Sequence, residues 1–591
     1  MIVALVALAV HLPALHLGFA LDDVPLLEHD PRLAHPGDLG AFFLRPYWPQ
    51  AEGAAAGLYR PITTWSFALN RAVTGEEPHG FHAVNLLLHA AVCALAWFAA
   101  RRAGVFYGTA ILAALLFAVH PVHVEAVANV AGRAELLAGG FALAAWLAHR
   151  RGQPVLAPLL YLLAVLSKEG AVLAPSLFLI DDLQRRRDGE RPRWITYTGY
   201  AAALAVALGL RAVALGGLRG AENAVFMDNP AAFAGPAVRI GTALWVLAKD
   251  LFLLVWPAHL VSDYSFDAIP LVRSWSEPRL LVGCGVLALL IALTLWSWRR
   301  SRPLLLGLAA FAVFLLPASN LLFPVGTLMA ERLLYLPSFG LCLIAGHFGA
   351  GFARGGRPAR NAVAFAALVF LGLAATRTWT RIPAWQNNAI LALADVKQQP
   401  RSAKLQAGAG IALHDAGRDL DAESAYKVAL EIWPDYAQIH YNLALLLEKR
   451  GASDDAINHL KEAGRLAPNN PKPFQVLAPR LETAGRTNEA LAAYAAAVKI
   501  DPRDLPFRFN YGRALLGAGK TEEGLAVLES IRTEASKSYI GVLAEALTAD
   551  ARGQAREAAM LYGRVIELPE VPEGVRARAR ARLANLQRGE K

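Results

Sequence analysis

The chain has 591 residues, of which 55% are hydrophobic and only 18% charged. Soluble domains do not reach that apolar content, so a polytopic membrane protein is the expectation. The net charge of +10 would suit nucleic acid. The arginines, however, fall in short clusters between apolar runs: Arg101–Arg102, Arg150–Arg151, Arg185–Arg193, Arg299–Arg302 and Arg354–Arg360. Such clusters mark the cytoplasmic ends of spans and argue against a nucleic-acid surface. The cysteines, Cys93, Cys284 and Cys342, all lie in apolar segments and form neither a disulfide framework nor a metal spacing.

The first apolar segment, 1–20, lacks a basic leader and reads as an uncleaved signal-anchor. It is about long enough to cross a hydrocarbon core of roughly 30 Å. Further candidate spans are 84–100, 104–119, 134–149, 154–167, 170–182, 194–216, 279–297, 303–320, 335–353 and 361–377. With the arginine clusters in the cytoplasm, the N-terminus is inside. Loop 21–83, the loop near 120–133, the turn 167–170, the stretch 217–278 and the loop 320–334 are then outside, as is everything beyond the last span. Segment 238–257 carries Lys249 and Asp250 mid-way and reads as an interfacial or re-entrant helix on the outer side.

The outer loops hold the polar residues. Asp22 and Asp23 follow the first span directly. A carboxylate at such a mouth can take a proton from a hydroxyl nucleophile, or the pair can simply end the helix in solvent. Arg45 and Arg60 in the first loop could meet phosphate. FHAVNLLLHA puts His82, Asn85 and His89 near one helical face; core histidines and ligand histidines both fit that placement. The second loop, FAVHPVHVEAVANVAGRAELL, packs His120, His123, Glu125, Arg133 and Glu135 together. His120, His123 and Glu125 could supply a divalent metal, but the spacing is not the usual helical zinc pattern. Phosphate binding by Arg133, with the acids and histidines orienting a sugar, suits the loop better. Ser167, Lys168, Glu169 and Gly170 break one apolar stretch, and Glu331 and Arg332 open another. Each pair could equally be an ion pair or a snorkelling helix end.

Beyond about 390 the chain is polar and repetitive. Pro434, Pro468 and Pro502 recur every 34 residues. Ala422, Ala456, Ala490 and Ala558 keep phase with Tyr426, Tyr494 and Tyr562, and Gly410, Ala444, Ala478, Gly512 and Ala546 hold a second small position. Small residues let two antiparallel helices approach and the tyrosine fills the gap to the next pair, which is the tetratricopeptide (TPR) pattern. About five repeats are expected over 401–570, the fourth degenerate at Gly524 and Ser536, with a membrane domain over 1–380, a linker at 381–400 and a capping helix at 571–591. The array should bind a peptide or protein, or else act as a spacer.

At this point the chain resembles a known family. LDDVPLLEHDPR, YRPITTWSFALN, FHAVNLLLHA, FAVHPVHVEAVANVAGRAELLAG, LLAVLSKEGAVLAPS, LVSDYSF and AERLLYLPSFG, followed by TPRs, look like the transmembrane, TPR-containing O-mannosyltransferases of the GT-C glycosyltransferase class. The resemblance implies an all-α protein, a GT-C helical bundle followed by a TPR solenoid. It implies an inverting transferase that moves mannose or another hexose from a polyprenyl-phosphate donor to Ser or Thr hydroxyls of an acceptor protein. Asp22 would be the base and Asp23 its supporting acid. Arg133, Lys168 and Arg332 would meet the donor phosphate, while His120, His123, Glu125 and Glu135 shape the site. Arg60, His82, His89, Glu169 and Glu331 complete the candidate set. No glycine-rich nucleotide loop is evident, which agrees with a lipid-linked donor; no cofactor is firmly implied, with a divalent metal left open. The short loops and the alanine and arginine bias suggest a bacterial homologue in the inner membrane, with catalytic loops and repeats on the periplasmic side. Two alternatives stay open. One is a non-catalytic TPR scaffold for envelope assembly; the other is an oligosaccharide ligase acting on a glycan.

Overall fold

The structure is a computed structural model that describes residues 1–49, 57–102, 104–187, 189–190, 194–217 and 225–589. Arg191 and Arg193 of the third arginine cluster lie outside them. Every regular element among the described residues is helical. The chain divides into two compact units, Met1–Gly417 and Arg418–Lys591.

In the first unit, six helices are long and apolar enough to cross a bilayer: Pro78–Arg102, Val130–Arg150, Trp194–Leu215, Pro278–Ser297, Glu331–Gly355 and Arg357–Gln386. A seventh is counted if Tyr107–Val119 and Pro121–Ala128, bent by 50°, form one broken span. Ile2–His16, Leu156–Ser167 and Arg302–Ala318 are apolar but shorter, so part of the expected set of spans does not reach full length. The expected span 170–182 becomes Ala174–Arg187, whose last turn is Arg185, Arg186 and Arg187. Segment Pro236–Val255 is one helix and is not among the spans.

Burial sorts the long helices. Val130–Arg150 is 78% buried, whereas Pro278–Ser297 and Arg357–Gln386 are only 17% and 11% buried. Their outward residues, among them Leu281, Leu289, Leu295, Phe365, Leu368 and Leu373, make apolar surface too extensive for water and suited to lipid. Small residues let the inner helices touch. A Cβ on Gly307 would lie 2.7 Å from the Gly340 carbonyl oxygen, and one on Gly340 would lie 2.6 Å from the Phe311 amide. Backbones that close are the usual contact between helices in lipid.

The second unit consists of antiparallel helix pairs. Ala437–Lys449 pairs with Ser453–Leu466, Pro471–Thr483 with Thr487–Ile500, Leu505–Gly517 with Thr521–Glu534 and Tyr539–Ala551 with Ala555–Glu567; Glu573–Arg588 follows. Gly451, Gly485, Gly519 and Gly553 sit at φ +70° to +80° in the turn inside each pair, the left-handed conformation that glycine adopts without strain. Ala456, Ala463, Ala490, Ala497 and Ala558 are buried where helices cross, with Tyr426, Tyr494 and Tyr562 between pairs. Helix Ala403–Asp415, which opens the 34-residue periodicity, belongs to the first unit.

Candidate functional site

The two aspartates part company. The chain leaves its first helix through Leu21, which has φ +51°. Its N–H is held by Asn388 Oδ1 at 2.6 Å, and nearby the Gly18 N–H donates to the Gln386 carbonyl at 3.1 Å. This turn leaves Asp22 partly exposed on the wall of a cavity of about 1770 Å³. Asp23 points the other way and is 0% exposed. Its carboxylate accepts from the backbone N–H groups of Ala131 (2.7 Å), Val130 (3.1 Å) and Ala20 (3.4 Å), joining the first loop to the second. Burial pushes the Asp23 carboxyl up to about 7, opposed by those three amides. Asp23 is therefore a brace and not a second acid on the cavity wall.

Among the described residues, five cations line the cavity with Asp22: Arg60, Lys168, Arg211, Arg332 and Lys404. Arg60, Lys168 and Arg332 are each aimed by a glutamate. Arg60, just ahead of helix Pro61–Thr74, makes a two-pronged contact with Glu169 (2.6 and 3.0 Å) and lies over the Tyr47 ring. Lys168 pairs with Glu135. Arg332 is held twice by Glu125, through its guanidinium at 2.5 Å and its backbone N–H at 2.8 Å. Glu125 itself is 1% exposed. Such forks fix the direction of a guanidinium at little further entropic cost.

The remaining candidates, expected at the substrate, are buried off the cavity wall. Arg133 is 0% exposed. It donates to Asn85 Oδ1 (2.8 Å), Asn70 Oδ1 (2.7 Å) and the carbonyls of Phe81 (3.0 Å) and Ser66 (3.2 Å), so its fork staples helix Pro61–Thr74 to helix Pro78–Arg102. The histidines are core residues. His82 donates to the Gly18 carbonyl at 3.2 Å and His120 to the Leu254 carbonyl at 2.9 Å, while His89 bonds the Tyr335 hydroxyl and His123 the Ser338 hydroxyl, both at 2.8 Å. Glu331 is 1% exposed and accepts from the Val261 N–H (2.6 Å) and the Tyr264 hydroxyl (2.8 Å), reaching the cavity only through Tyr264. Glu125 acts through Arg332 in the same way. Among the described residues, no three His, Cys, Asp or Glu side chains converge as a metal site. Glu135 and Glu169 are each paired with a cation.

Several lining residues were not singled out in the sequence. Asp228, Asp263 and Tyr264 come from the stretch 225–277, Arg211 from helix Trp194–Leu215, and Asn388, Lys404, Ile411 and Asp415 from beyond the last span. The signal for Asp263 and Tyr264 was LVSDYSF, an acid and an aromatic in a polar stretch between apolar helices. For the last group there was none, because nothing local in the sequence says which repeat helix faces a membrane-domain cavity.

The helical bundle thus brings Asp22 and the oriented cations Arg60, Lys168 and Arg332 to the wall of one chamber. Residues 223–291 match the family described as "Protein O-mannosyl-transferase TMTC, DUF1736", and residues 481–545 match the tetratricopeptide repeat. The first of these ranges contains Asp228, Asp263 and Tyr264. Over 91% of its length the chain is 28% identical to the mouse protein O-mannosyl-transferase TMTC3, covering 64% of that protein. It is 31% identical to the Caenorhabditis elegans protein O-mannosyl-transferase F38B6.6, over 71% of this chain and 60% of the other. It is 29% identical to human TMTC1, over 72% of this chain and 54% of the other. The chain thus spans less than two thirds of the length of these relatives. All three are animal proteins, so they lend no support to the expected bacterial origin. Among solved structures, the TPR protein YrrB is 17% identical with a TM-score of 0.29, covering 32% of this chain and 97% of its own.

Proposed function

We propose that the chain is a membrane glycosyltransferase that transfers a hexose, mannose by analogy with its relatives, from a polyprenyl-phosphate donor to Ser or Thr hydroxyls of proteins. The observation that carries this reading is Asp22 sharing one chamber with Arg60, Lys168 and Arg332, directly after the first apolar helix. The acceptor oxygen attacks the anomeric carbon from the face opposite the phosphate. As the new C–O bond forms, the hydroxyl proton passes to the Asp22 carboxylate. The bond from the anomeric carbon to the phosphate oxygen breaks, and its electron pair stays on the polyprenyl phosphate, where the three cations offset the added charge. One displacement inverts the anomeric centre. Glu169, Glu135 and Glu125 hold the cations in position. In this reading the chamber opens on the extracytoplasmic side of the membrane, as the arginine clusters imply.

The test is transfer by purified, detergent-solubilised protein from polyprenyl-phosphate mannose to an acceptor-protein extract, read by intact mass. Asp22→Asn should lower the rate roughly 10²- to 10⁴-fold with the melting temperature unchanged. Unchanged transfer in Asp22→Asn, or transfer only to glycan acceptors, would overturn the reading.

A further inference from the structure

The chamber has a wall that the donor chemistry leaves unused. Helix Ala403–Asp415 presents Lys404, Gly408, Ile411 and Asp415 to it. These positions are spaced i, i+4, i+7 and i+11, one stripe along a single helix face. Ile411 is 40% exposed there. At 1.5 Å per residue the stripe is about 16 Å long, which matches about five residues of extended chain at roughly 3.3 Å each.

This helix is held rigidly against the stretch 225–277. Ser402 Oγ donates to Asp263 at 2.7 Å, Lys404 pairs with Asp228 at 2.5 Å, Arg401 with Asp267 at 2.5 Å, and Gln399 donates to the Ala268 carbonyl at 2.9 Å. Its neighbour, helix Asn388–Asp395, carries the Asn388 side chain that holds the turn before Asp22. The stripe and the acid are thus joined through one short run of chain. The cations Arg60, Lys168 and Arg332 come from other elements, ahead of Pro61–Thr74, after Leu156–Ser167 and before Tyr335–Phe352.

Charge identifies the occupant. The wall around the stripe holds Asp228, Asp263 and Asp415 against Lys404, an acidic excess with an isoleucine in its middle. A phosphate is disfavoured beside this excess, and a neutral glycan can hydrogen-bond to the carboxylates but leaves their charge unmatched, whereas a polypeptide with a Lys or Arg near its hydroxyl residue is complementary. We infer that the Lys404–Asp415 stripe is an acceptor subsite that takes about five residues of extended, basic, Ser- or Thr-bearing polypeptide and presents its hydroxyl to Asp22. This rests on the transferase reading for the role of Asp22, but not for the binding itself.

The experiment places the photocrosslinker p-benzoylphenylalanine at position 411 of the full-length protein in detergent. The control carries it at position 73, where Val73 is 84% exposed and lines no part of the chamber. The probe is a biotinylated ten-residue peptide with a central Thr flanked by lysines, beside the same peptide with glutamates. Capture at 411, competed by unlabelled lysine peptide, at least fivefold weaker for the glutamate peptide and absent at 73, is expected. Equal capture at both positions, no capture at 411, or no preference between the peptides overturns the subsite. As a second variant, Asp415→Lys should raise the KM for the lysine peptide about tenfold while leaving the KM for the lipid-linked donor unchanged; a shift in donor KM instead assigns the wall to the donor. If the protein transfers no sugar at all, the transferase reading fails on its own and the crosslink still decides the subsite.

Discussion

Asp22 and Asp23 are adjacent and chemically identical, and the tertiary structure alone gives them different work. Asp23 meets only hydrogen-bond donors, the amides of Ala20, Val130 and Ala131. An asparagine there keeps one acceptor and turns an NH₂ towards a backbone N–H. Asp23→Asn should therefore cost about 1–3 kcal/mol of stability, read as a lower melting temperature, in contrast to Asp22→Asn. Asp23 also sets a pH dependence. Its carboxyl is raised in the fold to about 7 from an ordinary value near 3.8, so the folded protein binds more protons than the unfolded chain between those limits. Its contribution to stability is complete below about pH 4 and is lost as pH rises through 7, with a slope of at most about 1.4 kcal/mol per pH unit. Melting of wild type and Asp23→Asn from pH 4 to 8 should show this slope in the wild type and not in the variant. A parallel pair of curves would disprove it. At this scale the sequence identified the acid-bearing loop but not which acid faces the chamber, because a one-residue step around a left-handed turn reverses a side chain's direction.

Among elements, the segment after the last span does more than link. The Asn388 side chain holds the N–H of Leu21 in a conformation that costs a leucine roughly 1 kcal/mol. Asn388→Ala should free that turn and let Asp22 drift. Transfer is expected to fall roughly ten- to a hundredfold with little change in donor KM; an unaltered rate would mean the turn holds itself. Helices Arg302–Leu315 and Tyr335–Phe352 cross where Gly307 and Gly340 leave no room for a Cβ. Gly340→Val should push these backbones apart and lower the yield of folded protein in detergent, a loss of about 1–3 kcal/mol or more. The helices themselves were legible: apolar runs and arginine clusters marked their positions. Their lengths were less so. Leu156–Ser167 is an apolar run that stops short because Lys168 turns inward to Glu135, a partner 33 residues away.

At the scale of the molecule, the two compact units predict two thermal transitions. Arg381 and Asp395 form a pair that is almost wholly buried, at 2.5 and 3.0 Å, and Asp395 also accepts from the Ser262 N–H at 2.6 Å. Asp395→Asn leaves an uncompensated buried guanidinium and should cost about 3–5 kcal/mol, moving only the transition of Met1–Gly417. A shift of both transitions, or of neither, in calorimetry would contradict this.

What the sequence determined by itself was whatever depends on local order. Apolar runs, arginines at their ends, polar loops between them and a 34-residue period of small and aromatic residues each express a short-range requirement of the chain, so all-helical class, the positions of the apolar helices and the repeats could be read directly, though not which helices reach full span length. Tertiary structure decided the site. His82, His89, His120, His123 and Arg133 share the polar character of Arg60, Lys168 and Arg332, yet the first group is buried between helices while the second lies on the chamber wall. Ser402, Lys404 and Asn388 join the chamber from far along the chain because ion pairs and hydrogen bonds with Asp263, Asp228 and Leu21 close over distances in sequence that no pattern of neighbours encodes.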